Sequence, residues 1–300
     1  MMDRTNISVV GSIALDSLKT CKGNHDNLLG GSATYFSIAA SKFTPVEVIG
    51  IVGNDFPKSC WNIFNSKNIN SKNIIEETGN TFRWGGEYSD DYSSRKTLFT
   101  ELGVFEHFKP NIVSSSTDQG ILFLANIHPS LQLDVLHQMK NNISLVVSDT
   151  MNLWIDLDVD GLHKVIENSD IFLLNDEEAR QLTGNDSLIN AGKSLLNKGP
   201  KIVIVKMGAK GSLLITNDNI IEIPSVPNIE VFDPTGAGDS FAGGLIGYIA
   251  KNGQDDMISA MLYASAIASF TVSGFGIDKI INLNLNEIES RVQTLKTLIK

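Results

Sequence analysis

Residues 170–184 read DIFLLNDEEARQLTG. Four bulky apolar residues, Ile171 to Leu174, lie between Asp170 and Asn175, and a helical pattern follows directly. A short apolar run ahead of a helix is one strand-to-helix unit. The unit recurs: GILFLAN (120–126), SLVVSDT (144–150) and KIVIVKMG (201–208) are further runs with polar ends. SLQLDVLHQMK (130–140) and GLHKVIENS (161–169) supply helical patterns between them. Apolar strands that alternate with helices predict an α/β fold with a mostly parallel central sheet covered on both faces. Beyond these, GSLLIT (211–216) and NIIEIPS (219–225) read as a hairpin-like pair, and the chain is mostly helical from Asp239. On the N-terminal side, ISVVGSIALDS (7–17) is a strand that continues past a bend at Gly11. LLGGSATYFSIAASKF (28–43) is a glycine pair leading into a small-residue helix, and VEVIGIVG (46–53) is a second buried strand. In TFRWGGEYSDDYSSRKTLFTEL (81–102), aromatic and polar residues alternate, as in antiparallel strands solvated on one face. With no repeat and no linker, residues 1–300 are expected to form one α/β domain with a small β appendage made from two N-terminal excursions.

Composition narrows the partners. A chain of 300 residues with 42% hydrophobic content buries a sizeable core without staples. The formal net charge is −10, spread along the chain with no basic stripe, which argues against nucleic acid or an anionic membrane as partner. Cys21 and Cys60 lie far apart, and the five histidines form no HxxxH or HExxH pattern, so a protein-held zinc is not expected. Met1 to Asn6 is polar and no long apolar run follows, which reads as a cytoplasmic protein without a leader. The expected partner is a small molecule. Acidity does not exclude an anionic one, because backbone N–H groups bind phosphate without Lys or Arg.

Two features locate its site. Asn126, Asp149 and Asn175 each end an apolar run, and in open α/β sheets ligands bind outside the carboxyl ends of the strands. Each alone also reads as a helix cap; together they mark a polar cleft. The second feature is FDPTGAGDSFAGG (232–244). Pro234 stops a strand, Gly236 and Gly238 permit close approach, and Phe241, Leu245, Tyr248 and Ile249 recur at helical spacing up to Gly253. The glycines therefore sit at a helix start, where N–H groups and the dipole hold anions. Asp239 is either an N-cap or a base that takes a proton from an alcohol while the glycine amides stabilise the phosphoryl group it attacks. No Lys follows the glycines as in a P-loop, and GAG lacks the third glycine of a dinucleotide site.

DPTGAGDSFAGG resembles the C-terminal signature of the PfkB (ribokinase-like) family of sugar and nucleoside kinases. GSIALD (11–16), Gly30-Gly31, NDEEA (175–179) and KMGAKGSLL (206–214) resemble further elements of that family, in the family's order. The resemblance implies a three-layer α/β/α sandwich with a mostly parallel central sheet and a small β lid, from about 13–29 and 80–102. It implies ATP-dependent phosphorylation of an alcohol, with Asp239 as base and Gly236, Ala237, Gly238 and the Asp239 amide as anion hole. Asp16, with Gly30 and Gly31, would hold substrate hydroxyls, and Asn126 and Arg95 would face the substrate. Asn175 and Glu178 would place Mg²⁺, largely through water, on the ATP phosphates. Lys206, Gly208 and Gly211 would line the nucleotide side, and Ser265 in SAIASFTVSGFG (265–276) the adenine side. Lys206 departs from the Thr or Ser of many members. Asp233 and Thr235 are either part of a monovalent-cation (K⁺) loop, as in some relatives, or a strand-end cap.

The acceptor is less constrained. Tyr35 stands where many ribose and adenosine kinases have an Asn that binds ring hydroxyls; it is either a changed substrate contact or a core residue. Trp84 and Arg95 either cover the ligand or pack the lid and a dimer interface. The leading expectation is a primary hydroxyl on a sugar or ribosyl compound, the alternative a nucleoside kinase, and the alternative of another class a non-catalytic nucleotide or sugar sensor. A phosphorylated sugar ranks lower, since Arg95 and Lys96 are the only obvious lid cations. A homodimer through the lid is compatible with this reading.

Overall fold

A computed structural model describes residues 5–65, 68–112 and 120–299; of the polar N-terminus, Met1–Arg4 lie outside these. In chain order the strands are β1 (Ile7–Val10), β2 (Ala14–Thr20), β3 (Gly23–Gly30), β4 (Val46–Gly53), β5 (Ile69–Glu77), β6 (Phe82–Tyr88), β7 (Arg95–Glu101), β8 (Gly120–Leu124), β9 (Ile143–Ser148), β10 (Ile171–Asn175), β11 (Ile202–Lys206), β12 (Ser212–Ile215) and β13 (Ile220–Ile223). The large sheet has the order β13-β12-β11-β10-β9-β8-β1-β4-β5. Its pairs are parallel except at one edge, where β12 runs antiparallel to both β11 and β13, as the hairpin reading of 211–225 anticipates. The β2, β3, β6 and β7 strands form a separate sheet, β3-β2-β6-β7.

Alternation within the strands shows why helices cover both faces. In β8, Ile121 and Phe123 join the core beneath Phe36, Phe241 and Leu245, while Leu122 and Leu124 face Val135, Leu136 and Val165 on the other side. In β10, Ile171 and Leu173 point to the first core, and Phe172 and Leu174 pack with Leu162, Ile166 and Leu195. A strand apolar on both faces exposes surface that only two helical layers can remove from water. Full burial of a side chain such as Phe123 or Leu174 is worth about 1.5–3 kcal/mol, so each strand fixes the sandwich at several points.

The sequence reading of 7–17 as one bent strand is corrected. The chain leaves the large sheet at Gly11 and enters the second sheet at Ala14, where β2 pairs parallel with β6 and antiparallel with β3. This departure matters for position. Strand β1 lies between β4 and β8, so the chain builds the sheet outward in one direction and then returns to build it in the other. The crevice at such a reversal, beyond Val10 and Leu124, is where open α/β sheets receive ligands. No helix among the described residues is long and apolar enough to cross a membrane.

Candidate active site

The helix Ala237–Asn252 starts at the glycine loop, with Gly236 as its N-cap at φ +73. Asp239 is the third residue of that helix and Gly236 carries the cap position, so the reading of Asp239 as N-cap is set aside. Its carboxyl is pushed up to about 6, chiefly by burial and then by Asp149, with Lys206 and a backbone N–H acting the other way. A carboxylate ionised at neutral pH but basic enough to accept a proton suits general-base chemistry.

On one side of the loop lies Asp16. It is 4% exposed and accepts from the Gly31 N–H. Gly30 allows this burial by close approach: a methyl there would overlap Asp16 Oδ2. Gly31 then caps the helix Ser32–Ala40, whose Ser32 hydroxyl bridges the Ser12 N–H (3.1 Å) and the Asn126 carbonyl (3.3 Å). Burial, then Asp233 and Asp239, push the Asp16 carboxyl up to about 8. Because this folded value lies above the unfolded 3.8, the folded state holds the extra proton between those limits. Stability from this group is complete below about 4 and is lost as pH rises toward 8. Asp16→Asn is therefore expected to raise the melting temperature of the ligand-free protein more at pH 8 than at pH 5. Melting curves at both pH values check this, and an equal shift at both would contradict it.

On the other side lie the ends of β9, β10 and β11. Asn175 and Glu178 form a capping box on the helix Asp176–Thr183: Glu178 N donates to Asn175 Oδ1 (2.8 Å), and Asn175 N donates to Glu178 Oε2 (2.7 Å). Burial, partly offset by Lys206, pushes Glu178 up to about 7. Lys206 stands opposite Asn175 in the β10–β11 register, and its Nζ donates to Asp149 Oδ2 at 2.5 Å. Burial opposes its charge, but Asp149 and Glu178 outweigh that and hold Lys206 above the usual lysine range. Gly208 and Gly211 follow in the turn to β12; a side chain at Gly211 would strike the Ile223 carbonyl.

Asp16, Gly30 and Gly31, the loop Gly236–Asp239, Lys206, Asn175 and Glu178 thus form one row along the crevice. Asn126 borders it, with its side chain engaged by Trp154 Nε1 (2.8 Å) and Met151 Sδ (3.1 Å). Arg95 lies on the exposed strand β7, its guanidinium 5.2 Å from the Trp84 ring and engaged with the Tyr88 hydroxyl. Ser265 is buried in the helix Met257–Thr271, which packs against the loop's helix at Gly244 and Ala264. Tyr35 is core: it is 1% exposed, and its ring lies against Gly236.

Sequence reasoning placed Asp149 at the polar cleft but missed its pairing with Lys206, although a lysine ending a buried strand signals an acidic neighbour. It also gave no role to two tyrosines, Tyr88 at the end of β6 and Tyr92 in the turn to β7. Tyr88 OH lies 2.9 Å from Thr235 Oγ1, and Tyr92 OH donates to the Phe232 carbonyl at 3.1 Å. These pairs are separated by 147 and 140 residues, beyond any local pattern. Asp233 accepts from Thr235 N (2.9 Å) and Gly276 N (3.1 Å), so it ties the loop to the segment after the helix Met257–Thr271.

Comparison with known proteins gives the family. The chain is 28% identical over 252 residues to the cytidine kinase of Thermococcus kodakarensis, covering 81% of this chain and 88% of that protein. The crystal structure of Methanocaldococcus jannaschii nucleoside kinase, an archaeal member of the ribokinase family, superposes with a TM-score of 0.80 at 24% identity, over 97% of this chain and 98% of that one. A structure from E. coli described as a ribokinase II in complex with ATP and Mg²⁺ gives a TM-score of 0.80 at 22% identity, over 97% and 99%. The model of the pfkB family carbohydrate kinases matches residues 6–281, from β1 past the last helix of the site, and the chain belongs to that family.

Proposed function

We propose that this kinase transfers the γ-phosphoryl group of ATP to a hydroxyl, in first place a primary one, of a nucleoside or a free sugar, with Asp239 as base. The observation that carries the reading is the position of Asp239: inside the first turn of a helix whose N-cap is a left-handed glycine, with Asp16 on one side and Lys206 on the other. In this reading the acceptor is oriented by Asp16 and the Gly30-Gly31 turn, with Asn126 and Arg95 nearby. Asp239 takes its proton, and the amides of Gly236, Ala237, Gly238 and Asp239 hold the charge on the transferring group. The helix N-terminus favours that charge in the ground state as well, so only donors aimed at the transition-state oxygens accelerate the step.

ATP would lie along Lys206, Gly208 and Gly211, with its base toward Ser265. Asn175 and Glu178 offer oxygen donors of the kind a hard cation takes. This fits Mg²⁺ carried mainly by phosphate and water, where it would neutralise charge on the β- and γ-phosphates. A K⁺ at Asp233 and Thr235 belongs to the same proposal. The small sheet would act as a lid: Tyr88 and Tyr92 already reach the loop, and excluding water protects ATP from hydrolysis.

Similarity to a cytidine kinase and a nucleoside kinase gives the nucleoside acceptor equal standing with the free sugar. The test is ADP formation from Mg-ATP with a panel of nucleosides, pentoses, hexoses and sugar phosphates. Turnover is expected with one class of unphosphorylated ribosyl or sugar compound. Turnover confined to sugar phosphates would overturn the acceptor assignment.

A further inference from the structure

Around the Lys206 ammonium stand three acidic groups, Asp149, Glu178 and Asp239. The ammonium lies 2.5 Å from Asp149 Oδ2, with Asp149 only 4% exposed and Lys206 17% exposed. The carboxylate is therefore the more buried partner of the pair, and the lysine side chain the one that keeps some exposure. The same Nζ lies 3.2 Å from where a methyl on Gly238 would sit. It stands directly beside the proposed anion hole, within reach of a group bound on those amides.

A stability role explains this poorly. A buried ion pair is often no better for stability than apolar side chains of the same volume, since desolvation offsets the attraction. Phosphoryl transfer has a stronger need for the charge. The acceptor O–H gives its proton to Asp239, a bond forms from that oxygen to the γ-phosphorus, and the bond from phosphorus to the ADP oxygen breaks. Negative charge is spread over the three equatorial oxygens throughout. Backbone amides alone supply partial charges; an ammonium fixed by Asp149 supplies a full one that needs no reorganisation during the step.

We propose that Lys206 is a catalytic residue of the transfer, its ammonium touching the transferring phosphoryl group, and that Asp149 is the positioning residue that aims it. This rests on the kinase reading above. It makes Lys206 a charge-bearing part of the transition-state site.

The test uses the full-length protein and two readouts. With the acceptor found in the panel, Lys206→Met is expected to lower kcat by roughly 10²–10³ while KM for ATP changes by less than about threefold. Lys206→Arg should recover part of the loss. Asp149→Asn should lower kcat as well, and Asp149→Asn with Lys206→Met together should be no worse than Lys206→Met alone, because the two act as one unit. The double variant removes the Asp149 charge together with the ammonium, so it serves if Lys206→Met fails to fold. The second readout needs no acceptor: the rise in melting temperature when aluminium fluoride is added to the protein with MgADP, as a mimic of the transferring group. Wild type and Lys206→Arg should show it, and Lys206→Met and the double variant should not. A fluoride-dependent shift retained without the ammonium, or equal losses in kcat and ATP affinity, would overturn the proposal. A wild type that binds no MgADP would overturn the kinase reading and this proposal with it. Asp239→Asn separates the two ideas, since it should lose turnover yet keep the fluoride-dependent shift.

Discussion

Asp239→Asn is expected to lower turnover by roughly 10²–10⁴, the usual share of a general base, while MgATP still binds. The substitution keeps the shape of the first helical turn and removes one charge and one proton acceptor. The nucleotide contacts proposed for Asn175, Lys206, Gly208 and Gly211 lie on other elements and are left standing. A pH dependence accompanies the loss. With its carboxyl at about 6, Asp239 is protonated below that value and cannot accept the acceptor's proton. In the wild type kcat/KM should therefore fall as pH drops through about 6, and the residual activity of the Asn variant should lack this acid limb. Steady-state kinetics between pH 5 and 8, with calorimetric titration of MgADP, measure both. An Asn variant with wild-type turnover would move the chemistry elsewhere and favour a sensor on a kinase fold.

The second large effect concerns Gly236. Its φ of +73 costs any side chain about 1–2 kcal/mol, and the added methyl would land in the ring of Tyr35. That ring cannot yield: it is buried in the helix Ser32–Ala40, and overpacking a site of this kind costs about 1–3 kcal/mol more. Gly236→Ala should therefore shift the loop amides away from the transferring group and lower turnover by at least about 10², with a lower melting temperature. Gly184→Ala is the control. Gly184 also has a positive φ, +68, at the end of the helix Asp176–Thr183, but nothing lies within 4 Å of the added methyl. It should lose stability through backbone strain alone and keep its turnover. If both variants lose activity equally, strain rather than the Tyr35 contact governs the loop.

Much of the site was legible from residue types and spacing. Asn175 read as a cap at a strand end and Glu178 came with the family resemblance; the structure joins the two as a capping box on one helical turn. The glycine loop announced a helix start because Pro234, two glycines and a helical repeat leave the backbone few alternatives. Asp16 was marked only by the resemblance of GSIALD to a family motif, and its burial near Asp233 and Asp239, which sets its proton affinity, was not legible. Tyr35 had two readings, and only packing against Gly236 chose the core.

The sequence by itself determined the layers, the mostly parallel sheet, the polar residues at its strand ends and the helix start at the glycine loop. These follow from hydrophobic period and backbone sterics, which act over a few residues. Tertiary structure alone decided that Lys206 is tied to Asp149, that the small sheet reaches the loop through Tyr88 and Tyr92, and that Asp239 lies between an acid and an ammonium. Charge and burial act through space, across separations from 57 to 147 residues in these contacts, so their balance exists only once the chain has folded.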